Sequence, residues 1–201
     1  MKPVCLIIGA GAGIGGNVAK RFAEAGYHTV MCRRSDAGGL DKIVKDIEST
    51  GGSASGYILN VVEPDSIEQL VASTEADVGP IDVAVYNLGA QIGTKTLADT
   101  SYKAFEMGWR LGTFGLYRLA SSVFPSMVSR GRGTLLVTSA TAAVRGNAGQ
   151  HSHAAAMGGR RLLCQSLNAE FSSQGIHVTH VIIDGAVDAP DTLGKMLGPE
   201  K

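Results

Sequence analysis

Six short aliphatic runs alternate along the chain with longer segments of helical periodicity, and this alternation limits the fold more than any other feature. The runs are rich in β-branched residues and predict strands: VCLII at 4–8, HTVMC at 28–32, SGYILN at 55–60, IDVAVYN at 81–87, GTLLVTS at 133–139 and IHVTHVIID at 176–184. One intervening helical stripe contains Leu163, Leu167 and Phe171. Strands that alternate with helices pair in parallel, and the helices cover both faces. The sequence therefore predicts a doubly wound α/β sheet of about six strands.

The composition favours one domain, residues 1–201, with an ordinary core. Hydrophobic residues make up 44% of the chain, and 18 basic residues balance 18 acidic ones, so nothing indicates nucleic acid or an anionic membrane as a partner. We find no basic leader and no apolar stretch of about 18 residues, which predicts a cytoplasmic protein. Cys5, Cys32 and Cys164 lie in apolar segments and are predicted to be buried, reduced thiols.

The segment GAGAGIGGNVAKRFAEAG directly follows the first predicted strand and continues into a helix. Glycines at such a turn let backbone N–H groups approach a pyrophosphate, and the helix N-terminus supplies partial positive charge. Gly11, Gly13 and Gly16 fit the pattern G-x-G-x-x-G, but Gly9, Gly13 and Gly15 fit better, because Gly9 stands at the strand end. The segment predicts a dinucleotide site, and a purely structural tight turn is the alternative.

This segment resembles that of the short-chain dehydrogenase/reductase family, whose glycine pattern is G-x-x-x-G-I-G. Gly13, Ile14 and Gly15 reproduce the second half of that pattern, whereas Ile8 stands where the family usually has threonine. The resemblance covers nearly the whole chain and implies a Rossmann-type fold. It also implies that Gly9, Gly13, Ile14 and Gly15 bind the cofactor.

Two further elements resemble cofactor contacts of the family. YNLGA after the fourth strand is similar to the N-N-A-G element and retains Asn87 and Gly89. LNV after the third strand is similar to the D-V pair that holds the adenine, with Asn60 in place of Asp and Val61 retained. An amide oxygen can still accept a hydrogen bond from the adenine amino group. The alternative is that Asn60 and Asn87 only cap strand ends.

The residues after the second strand indicate which cofactor would bind. An acidic residue there suits the ribose diol of NAD, whereas arginine suits the 2′-phosphate of NADP. Arg33 and Arg34 precede Asp36, which favours NADP(H) over NAD(H). The alternative is that both arginines are solvated loop charges.

The catalytic residues implied by the resemblance are mostly replaced. The family uses a tyrosine and a lysine four residues apart, with a serine and an asparagine, and the tyrosine position falls on His153 and the lysine position on Met157. The serine position falls on Ala140, with the hydroxyl residues Ser139 and Thr141 on either side, and the asparagine position falls on Arg110. Ser139 and His153 are therefore the remaining candidates for catalysis, and neither His153→Tyr nor Met157→Lys alone is expected to restore the lost function.

Three functional hypotheses follow. The first is an NADP(H)-binding oxidoreductase homologue with weak or absent carbonyl/alcohol turnover. The second is an active carbonyl reductase in which His153 serves as the acid, since an imidazole pKa of about 6.5 leaves part of it protonated at pH 7. The third is a non-catalytic nucleotide-binding sensor or scaffold. No metal site is predicted, because His151 and His153 face different sides of a helix and have no acidic partner nearby.

The resemblance also bears on partners and on the C-terminal region. Family members commonly assemble through the helices after the fourth and fifth strands, so a homo-oligomer is a further expectation. A candidate contact stripe contains Leu116, Leu119, Ala120 and Val123, and the alternative is that this stripe only covers the sheet. DGAVD at 184–188 resembles the turn that contacts the nicotinamide. The seventh strand of the family is not predicted here, because only one short helix is expected after this turn.

Overall fold

The computed structural model describes residues 2–89, 94–185 and 187 and contains one six-stranded sheet. The strands are β1 Val4–Ile8, β2 His28–Arg33, β3 Ser53–Ile58, β4 Ile81–Tyr86, β5 Gly133–Ala140 and β6 Ile176–Ile183. They are all parallel, in the order β3-β2-β1-β4-β5-β6. The strand order reverses direction at β1, which opens a crevice at the carboxyl ends of β1 and β4. The prediction of a doubly wound parallel sheet is confirmed.

Helices cover both faces of the sheet. They are α1 Ile14–Glu24, α2 Ala37–Ser49, α3 Ser66–Asp77, α4 Tyr102–Trp109, α5 Gly115–Ser129 and α6 His151–Phe171. Alternate residues of β1 point to opposite faces: Cys5 and Ile7 pack on the side of α1 and α2, whereas Leu6 and Ile8 pack on the side of α3, α5 and α6. The strand is completely buried, which explains its continuous aliphatic sequence.

The edge strand β3 begins and ends two residues earlier than the sequence predicts. Its polar start is held by the ring of His28, whose two nitrogens each lie 2.7 Å from a hydroxyl, one of Ser53 and one of Ser55. Its final residues, Tyr57 and Ile58, are exposed. An edge strand with a polar start and an exposed apolar end gives a misleading hydrophobic pattern, and this accounts for the shift.

A π-helical turn, Arg110–Phe114, joins α4 to α5. Such turns free carbonyl groups from the ordinary helical ladder and are frequent at functional sites. Here the carbonyl of Leu111 accepts a hydrogen bond from the Tyr86 hydroxyl at 2.6 Å, and the carbonyl of Gly112 accepts one from Arg160 Nε at 2.7 Å. The turn therefore binds side chains from β4 and α6.

The stripe expected to form an oligomer contact instead covers the sheet. Its four residues are almost completely buried in the core: Leu116, Leu119, Ala120 and Val123. The exposed apolar surface of this region is a row of stacked aromatic rings. Trp109 and Phe114 have centroids 5.3 Å apart, and Phe114 and Tyr117 have centroids 6.4 Å apart. Of the two interpretations of the stripe, the structure supports sheet cover, because a helix of this amphipathic pattern uses its apolar face to cover the strands.

The cysteines are free and buried, as predicted. Burial raises the pKa of the Cys32 thiol to about 12 and that of Cys164 to about 11. Within the described part of the chain, no group of three histidine, cysteine, aspartate or glutamate side chains is placed to hold a metal ion. No helix in those residues combines the length and the apolar character needed to cross a membrane.

Candidate cofactor and active site

Two adjoining cavities form one long cleft at the carboxyl ends of the strands. One cavity, of about 490 Å³, reaches α6, and the other, of about 320 Å³, reaches the end of β2. Five residues line both: Gly9, Gly11, Asn87, Leu88 and Gly89. The cleft lies where doubly wound sheets bind ligands, and its elongated form suits a dinucleotide better than a compact molecule.

The glycine loop forms the middle of the cleft, and two of its glycines cannot be replaced without a steric conflict. Gly9 has φ +97°, and a Cβ atom there would lie 2.9 Å from the carbonyl oxygen of Asn87. A Cβ atom on Gly15 would lie 2.2 Å from the carbonyl oxygen of Gly9. By contrast, a Cβ atom on Gly11 would have no neighbour within 4 Å, although Gly11 lines the cleft. The space beside Gly11 is therefore open cleft, whereas the space beside Gly9 and Gly15 is filled by other protein atoms.

The N-terminus of α1 opens into this loop. Gly13 is the cap residue, Ile14 begins the helix, and both line the larger cavity. The first turn contains no acidic residue, so the partial positive charge of the helix end is not neutralised locally. Gly16, from the weaker of the two glycine patterns, instead packs under Gly11 and against Ile43. The structure therefore brings the predicted Gly9, Gly13 and Gly15 set together at the N-terminus of α1.

The two arginines after β2 line the smaller cavity but differ in their partners. Arg33 forms an ion pair with Asp36, with 2.9 Å between Nη1 and Oδ2. Asp36 also caps α2 by accepting a hydrogen bond from the Gly39 N–H at 2.9 Å. Arg34 is exposed and has no ion pair or hydrogen bond with any residue that the structure describes. Arg34 is thus the freer of the two cations.

Asn60 and Val61 lie on the opposite wall of the smaller cavity. The Asn60 amide nitrogen donates to Glu63 at 2.9 Å, so its oxygen is the atom left for a ligand. The carbonyl of Val61 accepts a hydrogen bond from Arg118 Nη1 at 2.7 Å, and Arg118 Nε also donates to Glu68 at 2.9 Å. The hydrogen bond from Arg118 lowers the pKa of Glu68. These contacts fix the backbone of the wall to α3 and α5.

Asn87 joins three strand ends. Its amide nitrogen donates to the Gly9 carbonyl at 2.9 Å, and its amide oxygen accepts from the Thr138 hydroxyl at 2.8 Å. Gly89 follows on the same loop and lines both cavities. The side chain of Asn87 therefore ties β1, β4 and β5 together, which is the strand-end role weighed from the sequence.

The positions expected to be catalytic line one end of the cleft, but the position aligned with the family's lysine carries no charged side chain. Ser139, Ala140, His153 and Met157 all line the larger cavity. Met157 is 2% exposed and packs in an apolar cluster, and the Ser139 hydroxyl lies 3.7 Å from its sulfur. A thioether is a weak acceptor and carries no charge. The lysine position therefore supplies neither a cation nor a strong hydrogen bond.

His153 is half-buried, and its Nδ1 atom is buried without a hydrogen-bond partner among the described residues. Burial lowers the pKa of His153, and the positive charge of Arg160 lowers it further. The imidazole is consequently less protonated at pH 7 than the value of about 6.5 assumed from the sequence implies. This shift weakens the case for His153 as an acid.

The position aligned with the asparagine of the family does not reach the cleft. Arg110 begins the π-helical turn and pairs with Glu106, with 2.8 Å between Nε and Oε1. It is not among the residues that line either cavity. Of the residues at or next to the four positions aligned with the family's catalytic residues, only Ser139 and His153 place a hydroxyl or an imidazole at this end of the cleft.

The sequence model of the short chain dehydrogenase family matches residues 3–194, almost the full length of the chain. The chain belongs to the short-chain dehydrogenase family. It is 29% identical over 189 residues to the 3-oxoacyl-acyl-carrier-protein reductase FabG of Thermotoga maritima, covering 94% of this chain and 76% of that protein. The resemblance stated from the glycine loop is therefore confirmed.

Solved structures of family members have the same fold. A short-chain dehydrogenase/reductase from Burkholderia xenovorans matches with a TM-score of 0.89 at 26% identity, covering 97% of this chain and 78% of the other. A gluconate 5-dehydrogenase from Burkholderia cenocepacia J2315, in complex with NADP and tartrate, matches with a TM-score of 0.82 at 25% identity, covering 90% and 71%.

In this short-chain dehydrogenase, Arg160 is a site residue that the sequence reasoning missed. It is 1% exposed and lines the larger cavity beside His153 and Met157. Its position, seven residues after His153 and three after Met157, places it on the same inward face of α6. That spacing was the available signal, but an arginine on a helix ordinarily indicates a solvated face.

The region after β6 is described only in part. Gly185 and Val187 line the larger cavity, which places the start of the DGAVD turn at the catalytic end of the cleft. The expectations for residue 186 and for residues 188–201, including the absence of the family's seventh strand, lie outside the described residues.

Proposed function

We propose that the protein binds NADP(H) and catalyses carbonyl or alcohol oxidoreduction weakly or not at all. The observation that carries this proposal is the contact between Ser139 and Met157. The contact places a neutral thioether at the lysine position, and this group neither tunes a neighbouring acid nor holds a ribose.

The cofactor assignment rests on the shape and charge of the cleft. Gly9, Gly13, Ile14 and Gly15 would hold the pyrophosphate at the N-terminus of α1. Arg33 and Arg34 would contact the 2′-phosphate, since a charged fork suits a phosphate group better than a diol. The Burkholderia cenocepacia relative, which holds NADP, supports the same choice.

Asn60, Val61, Asn87 and Gly89 would complete the cofactor contacts. The free amide oxygen of Asn60 is suited to the adenine amino group, and the backbone at Asn87 and Gly89 borders both parts of the cleft. A small carbonyl or alcohol compound would be the substrate of any residual activity. The buried, free cysteines support a reducing, cytoplasmic location.

A second candidate function is a nucleotide-dependent sensor or scaffold. The aromatic row of Trp109, Phe114 and Tyr117 favours it, because this row is exposed and stacked on the helix after β4. Such a surface suits a protein contact, including one with a second copy of this chain. An active reductase that uses His153 is less favoured, since burial and the charge of Arg160 lower the pKa of His153 and so disfavour its protonated form.

The test is titration of the wild-type protein with NADPH and NADH by calorimetry, followed by NADPH oxidation with ketones, aldehydes and quinones from pH 5 to 9. We expect NADPH to bind more tightly than NADH and turnover to be slow. Binding without turnover supports the proposal, and failure to bind either cofactor contradicts it. Fast turnover that declines as pH rises through a pKa below 6.5, and that His153→Ala abolishes, would establish the His153 reductase instead.

A further inference from the structure

Arg160 is a buried cation without an acidic partner. No ion pair links it to a carboxylate in the part of the chain that the structure describes. Its guanidinium instead donates to three backbone carbonyls, with Nε 2.7 Å from Gly112 O, Nη1 2.6 Å from Thr138 O and Nη2 2.8 Å from Leu88 O. The guanidinium carbon also lies 5.1 Å from the ring centroid of Tyr86. These contacts fix the group in place.

The charge of Arg160 remains although the group is buried. Burial lowers the pKa of the guanidinium, but arginine stays protonated in proteins because its unperturbed value is so high. Carbonyl dipoles satisfy its N–H groups without cancelling the formal charge. The charge of Arg160 acts on groups in the cleft. It is the second cause of the lowered pKa of His153, and burial of His153 is the first. An uncompensated buried charge is costly, so its presence beside a ligand cavity calls for an explanation.

Arg160 lies at one particular end of the cleft. It lines the cavity that contains His153, Met157 and Gly185, and not the cavity that contains Arg33 and Arg34. If the pyrophosphate occupies the glycine loop, the nicotinamide extends toward Arg160. No other side chain that lines this cavity in the described residues carries a full charge at pH 7.

We propose that Arg160 makes this end of the cleft selective for the redox state of the cofactor, so that NADPH binds more tightly than NADP⁺. This inference rests on the proposed function. The oxidised nicotinamide ring carries a positive charge and the reduced ring is neutral. Like charges repel strongly where water is excluded, so a fixed cation disfavours the oxidised ring alone. The protein would therefore respond to the ratio of NADPH to NADP⁺ even without turnover.

The experiment is calorimetric titration of the wild type, Arg160→Met and Arg160→Lys with NADPH and NADP⁺. We expect wild-type Kd for NADP⁺ to exceed that for NADPH by about tenfold or more. Arg160→Met, which keeps the length and removes the charge, should bring the two values together, and Arg160→Lys should keep them apart. Arg161→Met is the matched control, because it removes a neighbouring charge on α6 that does not line the cleft.

Two further measurements guard against a variant that does not fold. Wild-type protein is titrated with 1,4,5,6-tetrahydro-NADP, whose ring is neutral, and it should bind like NADPH. It is also titrated with 2′,5′-ADP, which lacks the nicotinamide, and any folded Arg160 variant should bind this fragment like the wild type.

The outcomes separate the two proposals. If neither cofactor binds, the proposed function fails. If both bind to the wild type with equal affinity, only the redox selectivity fails. The same conclusion follows if Arg160→Met weakens both forms equally, because the charge would then act on the phosphates rather than on the ring.

Discussion

The two ends of the cleft use polar groups in opposite ways. In the smaller cavity, neither Arg34 nor the amide oxygen of Asn60 has a hydrogen-bond or ion-pair partner among the described residues. At the catalytic end, the Ser139 hydroxyl is directed at Met157, and Arg160 is hydrogen-bonded to three carbonyls. One end therefore keeps groups available for a ligand, whereas the other uses its groups to hold the protein together.

This difference shows that binding and catalysis have separable structural requirements. For the proposed function, the binding end needs close backbone approach and available donors, and the glycine loop and Arg34 are the candidates for these roles. Catalysis needs a proton donor of suitable pKa at one point, and burial together with Arg160 lowers the pKa of His153, which makes its protonated form scarcer at neutral pH. A chain can thus lose the second set of features without disturbing the first.

The largest effect is expected when an acid is restored at the catalytic end of the cleft. We expect His153→Tyr to raise carbonyl reduction by NADPH by about 10²–10⁴-fold, the usual contribution of general acid catalysis. Contrary to the expectation from the sequence, Met157→Lys should not be required, because the Arg160 charge is already felt at position 153 and would lower the phenol pKa. The measurement is NADPH oxidation with the carbonyl panel.

His151→Tyr is the control for this prediction, since it adds the same ring two residues away, where His151 contacts Thr100 rather than the cleft. Adding Arg160→Met to His153→Tyr should remove the gain. If His153→Tyr is as slow as the wild type, then more than the acid is missing at this end.

The binding end can be blocked at Gly11. A valine there meets no protein atom at its Cβ position but occupies the cleft, so Gly11→Val should weaken NADPH binding by about 100-fold or more. Stability should change by no more than about 0.5 kcal/mol. Calorimetry and thermal unfolding measure the two effects. Gly38→Val is the matched control, because Gly38 also has open space around its Cβ position but lies outside the cleft. Retained binding in Gly11→Val would mean that the pyrophosphate lies elsewhere.

The smallest expected effect concerns the choice between NADPH and NADH. Arg34→Ala should reduce the preference for NADPH by about tenfold, since hydrogen bonds to charged groups contribute about 1.5–3 kcal/mol. Arg33→Ala should have less effect, because Arg33 is already paired with Asp36. Kd values for both cofactors provide the measurement, and Arg21→Ala serves as a control for general surface charge. A larger effect from Arg33→Ala would reverse the assignment.

The sheet could be predicted from the sequence because buried parallel strands have a simple signature. β1 and the glycine loop are recognisable because their residue types follow from local structure. Ile7 is completely buried, and the positive φ of Gly9 favours glycine. β3 was misplaced by two residues because hydrogen bonds between the His28 ring and the hydroxyls of Ser53 and Ser55, rather than hydrophobic burial, define its start. Local sequence patterns therefore identify strands and helices that are stabilised by hydrophobic burial. They misplace the first or last residue of an element where polar contacts determine it.

The catalytic end could be predicted only by comparison of positions. The replacement of the acid and the amine at His153 and Met157 was visible in the sequence, but the role of Arg160 was not. Its three acceptors come from β5, from the loop after β4 and from the π-helical turn, none of which is adjacent in sequence. The helical spacing from His153 and Met157 indicates the face on which Arg160 lies, but it does not indicate acceptors that come from three other segments.

The π-helical turn also has a consequence for how this region can change. Thr113 in that turn donates to the Ala156 carbonyl at 2.8 Å, and a Cβ atom on Gly159 would lie 2.9 Å from the Thr113 hydroxyl. Together with the bond from Arg160 to Gly112, these contacts make one interlocked unit of α6 and the turn. Substitutions within such a unit are expected to be non-additive, because each alters the room or the acceptors available to the others. The order in which mutations accumulate at positions 113, 159 and 160 would therefore decide which intermediates fold, so an evolutionary route through this region is constrained by epistasis.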